Sequence, residues 1–348
     1  MRTLLFLCIG LISSTVLLGQ SKIIYEEFPS SKLDETRRLK IQLPRDYDDN
    51  VEKSYPIVVV LDANYLFEPV AGNVDYFGYW EDMPEAIVVG IMQGDMRYED
   101  CSYDDTNFMP ADKGADFFEF VGLELLPYID ATYRTAKFTI LVGHDFTASY
   151  INYYLFKDPP LFNGYISLSP DLAPMLDERI PQRIPVLEQK TFYYLATGSD
   201  DIKDLKEITE SLNTSLQPLK SDNFAYYYDN FDGATHYSLV ARAIPSALEK
   251  IFSVYRPISK EEFNEKLMKT EEPIHQYLLN KYKTIEDLFG LTNPIRVNDF
   301  IATATACEKR KQWESLREIA ALAQKQYPDT ALGDYYLGRY YEETGDPK

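Results

Sequence analysis

The stretch Ile140-Leu141-Val142-Gly143-His144-Asp145-Phe146-Thr147-Ala148 decides the reading of this chain. An apolar run from Phe138 to Val142 reads as a strand. It meets a glycine, then a tight turn, then a segment with helical spacing. That strand–turn–helix context is the one a G-x-S-x-G nucleophile elbow requires. Here Asp145 stands at the serine position, and Thr147 stands where the following glycine belongs.

Working outward, strand-like and helix-like segments alternate from Ile23 to about Phe252. Strands are expected over Ile23–Phe28, Arg38–Leu43, Pro56–Asp62, Ala86–Met92, Phe138–Val142, Gly164–Ser169, Phe192–Thr197 and Phe224–Tyr228. The runs at Pro56 and Ala86 are almost continuously apolar, as in central strands buried on both faces of a parallel sheet. The first two strands are joined by the polar stretch Pro29–Asp34 and fit an antiparallel edge. Helices are expected over Ala115–Ile129, Thr147–Leu155 and Tyr237–Val254. This alternation predicts a three-layer α/β sandwich with a mostly parallel central sheet, over residues 22–255.

After Tyr255-Arg256-Pro257 the strand signal ends, and residues 258–348 read as an all-α, highly charged tail. Thr303-Ala304 and Leu337-Gly338 lie 34 residues apart, as do Cys307 and Tyr341. That period resembles tetratricopeptide (TPR) repeats, one complete and one half unit. An ordinary helical appendage fits nearly as well. Such units bury their faces against neighbours, so the tail is expected to pack on the first domain and to offer a surface to a protein partner.

Residues 1–20 have the form of a secretory signal peptide: Arg2, an apolar run from Leu4 to Leu18, then Gly19-Gln20. An exported protein, periplasmic or extracellular, is the expectation, with no strong membrane binding once the segment is removed. The formal net charge of −20 repels nucleic acid and anionic lipid. Cys101 and Cys307 fall in different domains and read as unpaired packing thiols. No metal-ligand cluster, phosphate loop or cofactor motif is present, so neither metal nor cofactor is expected.

In an α/β-hydrolase the nucleophile, acid and histidine converge in that chain order. Asp145 is at the elbow. Asp200 and Asp201 follow the strand Phe192–Thr197, and His236 sits in the loop Phe231–Ser238 before a helix. A histidine there can serve the nucleophile with one ring nitrogen while a carboxylate orients the other.

An ordered set of short matches extends this. It comprises Leu43-Pro44-Arg45-Asp46-Tyr47, Pro56–Asp62, Val89-Gly90-Ile91 with Arg97 beyond, and Glu124-Leu125-Leu126-Pro127-Tyr128-Ile129-Asp130 with Tyr133-Arg134. The elbow follows, then Leu161–Pro170. From about 38 to 254 the chain thereby resembles the secreted putative-esterase family, which includes enterochelin esterases, esterase D-like enzymes and feruloyl esterases. The resemblance implies an α/β-hydrolase fold and a pocket for an ester or other small molecule. It places the acid at Asp201 or Asp200 and the histidine at His236. It assigns the oxyanion donors to backbone N–H groups of Phe146 and of Ala63 or Asn64.

The departure at Asp145 bears on the chemistry. A carboxylate attacking an ester carbonyl forms an anhydride while expelling a poorer alkoxide leaving group, so reversal dominates. Asp145 is also expected to fill the anion site that a tetrahedral oxyanion needs, and to pair with His236 if the two are close. These points favour a non-catalytic binding or scaffold role, a pseudoenzyme. Two active alternatives stay open: ester hydrolysis by a His236-activated water, and Asp145 attack at the saturated carbon of an epoxide or halide.

Overall fold

The computed structural model describes residues 21–345, and the expected export segment 1–20 lies outside them. One eight-stranded sheet organises the first domain. Its strands are β1 (Lys22–Ser30), β2 (Glu35–Leu43), β3 (Tyr55–Val60), β4 (Ile87–Met92), β5 (Thr135–His144), β6 (Gly164–Leu168), β7 (Thr191–Asp200) and β8 (Phe224–Thr235). Their spatial order is β1-β2-β4-β3-β5-β6-β7-β8. β1 and β2 form an antiparallel edge and β2 joins β4 antiparallel, while every pairing from β4 to β8 is parallel. All eight expected strands are present.

The central strands show why they carry apolar runs. Ile57, Val59 and Leu141 face one core, and Val58, Val60, Ile140 and Val142 face the other. Successive side chains point to opposite faces, so a strand covered on both must be apolar throughout. Helices Phe67–Tyr79 and His236–Ile251 cover one face. On the other lies the helical stretch Lys113–Thr132, which includes a π-helical turn over Phe120–Leu125. Pro127 has no N–H for the regular i→i−4 ladder, and this is where the helix widens.

β8 is longer than its expected span of Phe224–Tyr228. It continues through the anticipated loop, pairing Gly198 with Phe231 and, after an irregularity, Asp200 with Thr235. The approach is close: a Cβ on Gly198 would lie 2.1 Å from the Ala234 carbonyl oxygen. The polar residues of 229–235 look loop-like in sequence because this end of the strand is largely open to solvent.

The tail carries helices Ile274–Phe289, Val297–Arg310, Trp313–Gln326 and Leu332–Thr344. Its own core gathers Phe300, Cys307, Leu316, Ile319 and Tyr336. Cys101 and Cys307 are both buried and unpaired. The first of these helices belongs to the sheet's packing as well. The Phe289 ring lies 4.9 Å from Phe138 on β5 and 5.3 Å from Phe252, and Ile285 and Leu291 join the same core. No helix among the described residues is long and apolar enough to cross a membrane.

Phe289→Ala is therefore expected to destabilise the whole chain, by about 3–5 kcal/mol. Denaturant unfolding followed by the two tryptophans, Trp80 and Trp313, checks this. A loss confined to the tail's signal would show that the two parts unfold independently.

Candidate functional site

The elbow keeps its sharp geometry. Asp145 has φ 60° and ψ −120°, a conformation that costs a non-glycine residue free energy and persists only where its surroundings enforce it. They do so here: Asp145 N–H donates to Leu168 O (3.0 Å), and Asp145 O accepts from Ser149 N and Asp171 N. Gly143 is required beneath the turn, since a Cβ there would meet Thr147 O at 2.5 Å.

Thr147, the second departure from the motif, is fully buried and bonded. Its hydroxyl accepts from His144 N–H (3.0 Å) and lies 2.9 Å from Asp62 Oδ2, to which it donates. Asp62 follows β3 and is itself buried.

Arg97 meets both carboxylates. Its Nε lies 2.9 Å from each oxygen of Asp62, and one terminal nitrogen lies 3.1 Å from Asp145 Oδ2 and 3.2 Å from His144 O. Burial alone would lower the pKa of this guanidinium. Asp62 and Asp145 outweigh it and raise the pKa, so the cation is held. Asp145 thus makes its ion pair with Arg97, not with His236 as anticipated. Its carboxylate accepts no bond from the Phe146 or Asn64 N–H.

Of the proposed oxyanion donors, Ala63 is excluded. Its N–H is bonded to Ile91 O (3.1 Å). The N–H groups of Phe146 and Asn64 have no acceptor among the described residues.

The acid and the histidine meet. His236 Nδ1 lies 2.9 Å from Asp201 Oδ1, and Ser169 Oγ stands 3.1 Å from the same nitrogen. Asp200 does not take part: it follows the bulge and accepts instead from Ser199 Oγ. A capping box sets His236 in place, with Thr235 Oγ1 accepting from Ser238 N–H and Ser238 Oγ accepting from Thr235 N–H. His236 is the first residue of the helix so formed. Its Nε2 has no protein partner among the described residues.

Burial pulls the Asp201 carboxyl upward. Hydrogen bonds from His236, Ser169, Thr197 and the Ile202 amide more than offset this and hold its pKa at about 2. Behind the pair lies His144, whose pKa is pushed down to about 4 by burial and by the neighbouring His236 and Arg97. The ring is then neutral at pH 7. Its Nε2 lies 3.2 Å from His236 O, to which it donates, and its Nδ1 lies 3.0 Å from the Tyr65 hydroxyl, which is also 3.2 Å from Asp62 Oδ2.

With this geometry, the comparison with known proteins is direct. Residues 30–238 match the family described as putative esterase, more than half of the chain. The chain belongs to the putative esterase family. A crystal structure of an uncharacterised protein from Capnocytophaga ochracea DSM 7271 is 30% identical, with a TM-score of 0.84 over 93% of this chain and 90% of that one. That share cannot be reached without the helical tail. An IroE-like serine hydrolase from Shewanella oneidensis shares the fold at 20% identity, with a TM-score of 0.67 over 87% of this chain and 99% of that one. The siderophore hydrolase EstA from Aspergillus nidulans shares it over 67% of this chain and 94% of its own, at 15% identity and a TM-score of 0.55. No curated protein gives a significant match. Within this esterase fold, the residue that sequence reasoning left without a role is Arg97. It is the one basic residue between Gln93 and Asp112, in an acidic loop after a strand's carboxyl end, and that isolation was its available signal.

Because the pKa of Asp201 is depressed, its contribution to stability is complete above the unfolded value near 3.8 and is lost as pH falls toward about 2. Asp201→Asn is expected to cost about 2 kcal/mol at pH 7. Chemical denaturation across pH should show the difference from wild type closing between about pH 4 and pH 2. A pH-independent difference would contradict this account.

Proposed function

We propose that this chain is an exported esterase-fold binding protein in which Asp145 has retired the family's acyl-transfer step. The observation that carries this reading is the 3.1 Å ion pair between Asp145 and Arg97 at the nucleophile position. A carboxylate held by a guanidinium is a weaker nucleophile than a free one. The tetrahedral adduct it would form with an ester carbonyl would also expel the carboxylate faster than the poorer alkoxide leaving group. The same ion pair weighs against Asp145 attack on an epoxide or halide. Only about twenty residues, Asp171 to Lys190, separate β6 from β7, too few for a full helical cap over such a substrate.

The rest of the machinery supports descent from a working esterase: the strained elbow, the Asp201–His236 pair and two unengaged N–H donors. Export rests on the composition of residues 1–20. The helical tail, with its 34-residue spacing, is the surface we assign to a protein partner. A second reading has its own support. His236 is oriented by Asp201 and keeps Nε2 unengaged, which is what a general base for water requires.

One panel separates these readings. Wild-type protein is expected to hydrolyse activated esters no faster than His236→Ala. Asp145→Ser is expected to gain turnover of at least about a hundredfold over wild type, because His236 then has a hydroxyl proton to accept. Adding His236→Ala should abolish the gain. Wild-type turnover that survives Asp145→Asn and disappears in His236→Ala would overturn the binding reading in favour of water activation.

A further inference from the structure

Beside the elbow lies a small cavity of about 40 Å³. Its walls are aromatic: Tyr103, Phe146, Tyr150 and Tyr153 line it, with Ser149 and Asp171. The hydroxyls of Tyr150 and Tyr153 are spent on the carbonyls of Gly114 and Phe108, so these residues meet the cavity as aromatic rings and not as free hydroxyls. Cys101 completes the wall as a neutral thiol, since burial pushes its pKa well up.

Asp171 is the single charged residue of the lining. Its backbone N–H is held by Asp145 O (3.3 Å), while its carboxylate makes no hydrogen bond or ion pair among the described residues. The nearby cations are engaged elsewhere. Arg97 is shared between Asp62 and Asp145, and Arg179 lies against the sulfurs of Met109 and Met175. Burial and the neighbouring Asp145 both raise the pKa of Asp171, as happens to an acid that lacks a counter-charge.

An aromatic wall with one unpartnered carboxylate is the chemistry that selects a cation. Ring faces attract an ammonium, and the carboxylate supplies its charge-assisted hydrogen bond. The volume sets the size. The cavity is above the minimum volume for a water and small enough to admit only the tip of an alkylammonium chain.

We infer that this cavity binds a primary alkylammonium group, such as the tip of a lysine-like side chain or of a polyamine, between its aromatic wall and Asp171. The inference rests on the binding-protein reading and names the ligand class for it.

The test uses the full mature chain titrated calorimetrically with n-butylammonium and, separately, with its neutral isostere n-butanol. The ammonium is expected to bind and the alcohol to bind at least about tenfold more weakly. Asp171→Asn, which breaks no internal contact, should lose about tenfold or more for the amine alone. Tyr103→Leu should lose about threefold. Equal binding of amine and alcohol, unchanged amine binding in Asp171→Asn, or no binding of the amine would each overturn the inference. Ester turnover by the wild type would instead defeat the non-catalytic reading and leave Asp171-dependent amine binding intact.

Discussion

The guanidinium of Arg97 ties the site together. It reaches from the turn after β4 to Asp62 beyond β3 and to Asp145 beyond β5, so one cation holds three strand ends in register. Thr147 closes the circuit by bonding Asp62 from beneath the elbow. Taking carboxylates out of water is costly unless each finds a charged partner. Asp62 is buried, and Asp145 sits where the sheet's carboxyl edge meets the solvent. Arg97 meets both requirements, and in doing so it takes up the charge that could otherwise have paired with His236.

From this follows a site with two halves, each with its own partner. One half is Asp201–His236, backed by neutral His144 and Tyr65, and built to hold a ring nitrogen ready. The other is Asp145 on Arg97. Hydrogen bonds orient the histidine, while Asp145 at the elbow is a paired anion. Fold and site therefore testify to different things. The fold is that of the putative esterase family, and on the reading proposed above the chemistry turns on a single side chain.

The tail is part of the same physical unit. Phe289 packs against both Phe138 and Phe252, so the helical region completes the sheet's hydrophobic cover as well as forming a core of its own. The likeness to the Capnocytophaga protein extends across this junction.

The sequence by itself determined the elements and their order. Apolar runs such as Ile57–Val60 suit strands covered on both faces, and the strand–glycine–turn–helix pattern at Gly143 marks the elbow. Both depend on neighbours close in the chain, where period and turn chemistry are legible. It also brought His236 and Asp201 into view through chain order, although Asp200 was an equal candidate until the bulge beside Gly198 placed one carboxylate inward and the other outward. Only the tertiary structure decided the partners. Arg97 lies 48 residues before Asp145, and no local pattern ties the two. The Ala63 N–H is lost to Ile91, a bond set by how the ends of β3 and β4 align. Such choices are made by charges and unsatisfied N–H groups competing across strand ends. That competition is settled by distance in space, which the linear sequence does not record.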